Sequence, residues 1–159
     1  MNAANQNRYD RNISLFGHLA DPQIMGLTLY GEARGEPYEG KIAVGTVILE
    51  RVDHRKWDGQ TIQEVCLWPA QFSCYLKSDP NFKMLLDISH NWDREASLNK
   101  ILAQCWTLST GMIDGSIPRD KEIAEAHCCQ YLTTAAKQGC DWWKEMKLVK
   151  KVGHHEFYA

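Results

Sequence analysis

Leu27-Thr28-Leu29-Tyr30-Gly31-Glu32-Ala33-Arg34-Gly35-Glu36-Pro37-Tyr38-Glu39-Gly40 separates two apolar helical runs and sets a carboxyl group at their boundary. Upstream, Ile24, Met25, Leu27 and Leu29 follow Asp21-Pro22, an N-cap aspartate with a proline suited to the first helical turn. Their spacing predicts a core helix that ends near Gly31. Downstream, Pro37 suits the start of a second helix, and Glu39 in its first turn complements the helix dipole. Ile42, Ala43, Val44, Val47, Ile48 and Val52 cover more than a narrow stripe of that helix, so it should be the most buried one. Glu32 falls one residue past Gly31, where the chain is expected to leave the first helix. The last carbonyls of a helix carry partial negative charge, which raises the pKa of a carboxyl nearby. Glu32 is therefore the candidate acid. Against this, a Glu flanked by glycines is ordinarily a solvated turn residue. Arg34 would favour the ionised form if it reached Glu32, or it pairs with Glu36 instead; spacing leaves both open.

Outward from this stretch the signals thin. Ile13, Leu15, Phe16 and Leu19 predict a short leading helix, so residues 1–20 read as an N-terminal extension packing on a domain of residues 21–159. Residues 53–60 read as a charged loop, and Thr61 as the cap of a short helix that Trp68-Pro69 closes. Residues 75–93 resemble an inserted loop with a turn at Asp79-Pro80-Asn81, and helical spacing resumes from Glu95 to Leu108 with Gly111 as a natural stop. Residues 126–134 and 148–152 read as extended segments that one small β-hairpin would join. No repeat or interdomain linker is visible. The expectation is one compact domain, mainly α with a small β-hairpin, of the α+β class.

Whole-chain properties remove several function classes. The 159 residues suffice for one real core, and a formal net charge of −2 gives no electrostatic case for nucleic acid. No run of 18 apolar residues exists, so no membrane span is expected. The polar stretch 1–12 lacks the apolar centre of a secretory signal, which predicts a protein made in the cytoplasm and released by something else. The six cysteines contain no C-x-x-C pair and suit reduced, core-filling thiols better than zinc. Cys66 and Cys74 are the pair to test for a disulfide.

Three motifs now carry a resemblance. Tyr30 to Gly40 with its continuation through Val52, then Pro69-Ala70-Gln71-Phe72-Ser73, then Val152-Gly153-His154-His155-Glu156-Phe157-Tyr158 together resemble the SleB-type cell-wall hydrolases. These include spore-cortex-lytic enzymes and phage lysins. The resemblance implies a lysozyme-like helical fold and cleavage of peptidoglycan glycan strands between N-acetylmuramic acid and N-acetylglucosamine. It implies Glu32 as catalytic acid and then base, as in lytic transglycosylases, with no metal or cofactor. It further implies that Gln71, Ser73 and Tyr131 bind substrate beside the cleft. Glu36 is a motif residue placed with the substrate-binding group, either as a partner carboxylate or as an anchor for Arg34 or the turn. His155 reads as a structural histidine. One departure stands out: Glu50 occupies a position where the family usually carries Asn. A monomer acting on the cell wall after release is expected, in a phage-lysis setting before a spore one. Two other readings compete: a metal-dependent amidase or peptidase using His127, His154, His155 and a cysteine, and a catalytically silent wall-binding protein.

Overall fold

The computed structural model describes residues 3–54 and 59–159, so part of the loop expected over 53–60 lies outside the described residues. Among the described residues, eight α-helices run in chain order: α1 (Ala3–Phe16), α2 (Asp21–Ala33), α3 (Tyr38–Asp53), α4 (Ile62–Leu67), α5 (Phe82–His90), α6 (Trp92–Leu98), α7 (Lys100–Asp114) and α8 (Lys121–Glu125). A sheet of β1 (Gln130–Thr133), β2 (Leu148–Val152) and β3 (His155–Tyr158) follows. The fold is mainly helical with a small antiparallel sheet, in one compact domain.

α2 is the hub. It packs most extensively on α7 and also meets α3 and α4, and residues 24–30 are all buried. Burial all round explains why its apolar residues form no stripe. Each fully buried Leu or Ile here contributes roughly 1.5–3 kcal/mol. Thr28 is the polar exception and is satisfied: its hydroxyl donates to the Ile24 carbonyl at 2.8 Å and pairs with the Tyr75 hydroxyl at 2.9 Å. α3 is likewise buried from Ala43 to Arg51, as its composition predicts. α1 docks through Phe16 and through Asn12, whose amide donates to the Leu67 carbonyl at 2.9 Å.

Several boundaries differ from expectation. Ala20, not Asp21, is the N-cap of α2, and its amide donates to Gln23 at 2.9 Å. α2 runs on through Gly31 to Ala33, so Glu32 lies in its last turn rather than beyond its end. Gly31 is not a helix stop: a Cβ there would lie 2.8 Å from Cys74 Cβ and 3.0 Å from Leu85 Cδ1. Its missing side chain lets the segment after α4 close against α2. Residues 75–93 are not a loop, because α5 and the start of α6 occupy them, with Leu85, Ile88 and Trp92 buried. The helix expected from Glu95 breaks at Asn99, whose side chain caps α7 by accepting from Ile101 and Leu102 amides at 3.1 Å each, and α7 passes Gly111 to reach Asp114. Thr61 does cap α4, in a reciprocal box with Glu64.

In the sheet, both expected extended segments form strands, but they do not pair with each other. The order is β1-β3-β2, with β3 antiparallel to both neighbours, so the hairpin is β2–β3 and the closing motif is the central strand. All six cysteines are free thiols, Cys66 and Cys74 included. Burial pushes the Cys66 thiol up to about 12 and the Cys105 and Cys128 thiols up to about 11. None of these three is a ready nucleophile. Among the described residues no helix is long and apolar enough to cross a membrane.

Candidate active site

Glu32 projects from the last turn of α2, half-buried, and two donors from different elements hold its carboxylate. The Cys74 amide, in a 3-10 turn over Ser73–Tyr75, donates to Oε1 at 3.1 Å, and the Tyr131 hydroxyl on β1 donates to Oε2 at 3.3 Å. Arg34 turns away from this group. Its guanidinium covers the end of α2, donating to the Tyr30 and Gly31 carbonyls at 3.4 and 3.3 Å and to Asn81 Oδ1 at 2.8 Å. The two pairings open from sequence, with Glu32 or with Glu36, are both replaced by this C-terminal cap.

A cavity of about 280 Å³ opens in front of Glu32. Gln71 and Ser73 form one wall, and Tyr131, Leu132 and Thr133 with Ala136 form the other. Between Gln71 and Ser73, Phe72 points the opposite way into the core, which fixes both neighbours toward the cavity. Ala70, at the rim, has φ 64°, a strained left-handed conformation for a residue with a Cβ. Such strain persists where surrounding contacts over-determine the backbone, and it is common at binding clefts.

Arg51 of α3 and His155 of β3 complete the cavity. Arg51 is buried, donates from Nε to the Cys129 carbonyl at 2.9 Å and lies 4.9 Å over the Phe72 ring. Burial lowers its pKa, opposed by the neighbouring Tyr131, Cys129, Cys66 and Glu32, yet a guanidinium stays charged at any ordinary pH. Tyr131 is pushed well above the usual phenol value, first by burial and then by the Glu32 charge, so it stays a donor hydroxyl. Burial lowers the His155 pKa, against the pull of Glu36 and Glu32, so its imidazole is neutral at neutral pH. The ring stands edge-on to Tyr131, centroids 5.1 Å apart.

Glu36 sits elsewhere. It does not line the cavity, and its nearly buried carboxylate accepts from the His154 amide and from His154 Nδ1, each at 2.9 Å. This ties the α2–α3 junction to the β2–β3 turn. Gly153 makes the contact possible: with φ 56°, a Cβ there would fall 1.8 Å from Glu36 Oε2. The structure thus brings Glu32, Gln71, Ser73 and Tyr131 into one cleft and leaves Glu36 as an anchor behind it. Arg51, Ala70, the Cys74 amide and the cleft position of His155 were not singled out from sequence. Only Arg51 left a signal, as one of two adjacent charged residues that interrupt the apolar run from Ile42 to Val52.

A sequence model of the family described as Cell Wall Hydrolase matches residues 35–158. The chain belongs to that family. Among curated relatives of this cell wall hydrolase, the spore cortex-lytic enzyme of Oceanobacillus iheyensis is 39% identical over 80 residues, 46% of this chain and 29% of that protein. The Bacillus cereus spore cortex-lytic enzyme is 38% identical over 80 residues, 46% of this chain and 30% of that one. The match thus spans less than a third of these relatives' length. Two solved structures share the fold at 24% identity and TM-score 0.51, each covering 87% of this chain: the catalytic domain of the Bacillus cereus SleB protein, 89% of it covered, and that of the germination-specific lytic transglycosylase SleB from Bacillus anthracis, 93% covered. The family match begins three residues after Glu32.

The histidines of the competing metal reading do not gather. His154 is bound to Glu36 on the surface and His155 lines the cleft, while His127 groups with Glu50 and His54. No set of His127, His154, His155 and a cysteine comes together among the described residues.

Proposed function

We propose that this cell wall hydrolase cleaves peptidoglycan glycan strands between N-acetylmuramic acid and N-acetylglucosamine as a lytic transglycosylase, with Glu32 as the one acid and base. The observation that carries this reading is that Glu32 is the single carboxyl lining the cleft among the described residues. Glycoside hydrolysis ordinarily uses two carboxyl groups facing the scissile bond, one of them to direct water or attack the sugar. The other motif carboxylate, Glu36, is engaged by His154 behind the cleft.

With one carboxyl the proton must return from the substrate. Protonated Glu32 gives its proton to the glycosidic oxygen as the C1–O bond breaks, and the developing oxocarbenium faces the resulting carboxylate. The same carboxylate then takes the proton of the 6-hydroxyl as that oxygen attacks C1 and closes a 1,6-anhydro ring, restoring the acid. Tyr131 and the Cys74 amide orient the carboxylate in both steps. Gln71 and Ser73 hydrogen-bond sugar hydroxyls from the cleft wall, and Arg51, which also lines the cleft, supplies fixed positive charge.

Mass spectrometry of fragments from purified sacculi tests the route: a muramic end lighter by one water marks the anhydro product, and a full-mass reducing end refutes it. Glu32→Gln keeps the shape and removes the proton, so turnover should fall about 10²–10⁴-fold. Wall binding without turnover in the parent chain, unchanged by Glu32→Gln, would leave only the silent-binder reading, and undiminished turnover in Glu32→Gln would refute Glu32 as the acid. The phage-lysis setting belongs to the same proposal. It predicts cleavage of vegetative sacculi at least as fast as spore cortex, and cleavage of cortex alone overturns it.

A further inference from the structure

Glu50 of α3 does not line the cleft that holds Glu32 and is only 4% exposed, an unusual burial for a carboxylate. Its Oε2 lies 3.2 Å from His54 Nε2 and 3.3 Å from His127 Nδ1, and the three atoms all fall within 4.8 Å of one another. As N–H···O bonds both separations are at or beyond the long end of the usual range. As ligand–ligand separations they fit, because a tetrahedron of metal–ligand bonds near 2.0–2.1 Å has an edge of about 3.3 Å.

Three further observations converge. The two imidazoles meet edge to face with centroids 4.4 Å apart, which aims both nitrogens at the carboxylate instead of stacking the rings. His127 is held at φ 48°, a left-handed conformation unfavourable for a residue with a Cβ, with its Nδ1 toward Glu50. The second carboxylate oxygen, Oε1, is held by Arg119 Nη1 at 2.8 Å, and Arg119 also bonds Asp53. A ligating carboxylate is commonly fixed this way through its other oxygen.

We propose that Glu50, His54 and His127 bind one divalent cation of the zinc type, with a fourth position open to water. Two imidazoles and one carboxylate suit zinc better than magnesium or calcium, which prefer all-oxygen shells. The site is reachable, since the His54 and His127 side chains are 37% and 64% exposed. Its role is to clamp the C-terminal turn of α3 to the segment that leads into β1. Arg51, the next residue of α3, already bonds the Cys129 carbonyl in that segment, and Tyr131 follows two residues later. A cation here steadies the cleft wall and takes no part in the chemistry at Glu32.

The test is titration of the chelator-stripped full chain with zinc chloride against a chromophoric competitor, with cobalt(II) absorption as a second readout. The expected result is one zinc per chain, a tetrahedral cobalt spectrum without thiolate bands, and weakening of about tenfold or more in both His54→Gln and His127→Gln. Zinc should also raise the thermal midpoint of the parent chain and not that of His127→Gln, whose exposed side chain is dispensable for the core. Absence of saturable binding, or binding indifferent to both substitutions, overturns the proposal. Neither result bears on whether Glu32 is the acid.

Discussion

Replacing Gly31 with alanine separates two roles for this glycine, and they predict opposite signs. If Gly31 merely occupied a helical position, alanine would stabilise α2 by about 1 kcal/mol through propensity alone. The structure says otherwise, because the new Cβ would sit 2.8 Å from Cys74 Cβ and 2.9 Å from Cys74 Sγ. Carbon atoms rest near 3.5–4.0 Å, so the segment carrying Cys74 must retreat by about 0.7–1.2 Å. Overpacking of that kind costs about 1–3 kcal/mol, which leaves a net loss of about 0–2 kcal/mol after the propensity gain. The larger effect falls on the site. The Cys74 amide reaches Glu32 Oε1 at 3.1 Å, and a retreat of this size takes it out of hydrogen-bond range. A misplacement near 1 Å costs catalysis about 10²-fold. Turbidity loss of purified sacculi, read beside urea unfolding, measures both. A Gly31→Ala chain that gains about 1 kcal/mol and keeps full turnover would refute the close packing and, with it, the proposed orientation of the acid.

Gly153→Ala should destabilise by at least about 2 kcal/mol, since it combines a left-handed backbone with expulsion of Glu36 from the β2–β3 turn; a loss under about 1 kcal/mol in urea unfolding would show that the anchor is weak. Acid should destabilise through two carboxylates. The Lys137 and Tyr158 hydrogen bonds hold Glu156 down to about 2 against burial; at Glu36 burial raises the pKa, but the backbone and side-chain hydrogen bonds from His154 outweigh it and hold the group below the usual carboxylate range. Both folded-state values are depressed, so this stability is present above about pH 4.5 and drains as pH falls toward 2. Thermal midpoints against pH should therefore decline more shallowly over that window in Glu156→Gln, and parallel declines would count against the assignment.

What the sequence revealed, and what it hid, follows the range of the forces involved. α3 and the Thr61 cap are local features: apolar spacing within one helix and a side chain reaching its own first turn. They were legible for that reason. β3 was not, because residues His155 to Tyr158 are all buried and so show no alternation between a wet and a dry face. Burial on both sides is a property of a central strand, and which strand is central depends on pairings with residues 130–133 and 148–152. α5 hid for a related reason: its short amphipathic pattern follows an evident turn and earns its burial only by packing on α1 and α2. The cleft shows the same division. Glu32, Gln71, Ser73 and Tyr131 were gathered by motif resemblance, while Glu36, in the same motif, faces a histidine 118 residues away. Because α2 continues to Ala33, Glu32 is carried by a helix packed on α3, α4, α5 and α7, and the elements that must find it are the 3-10 turn and β1. A site built this way loses precision when its partners shift and keeps Glu32 in place, so substitutions at Cys74's neighbours and in the β2–β3 anchor should lower turnover before they unfold the chain.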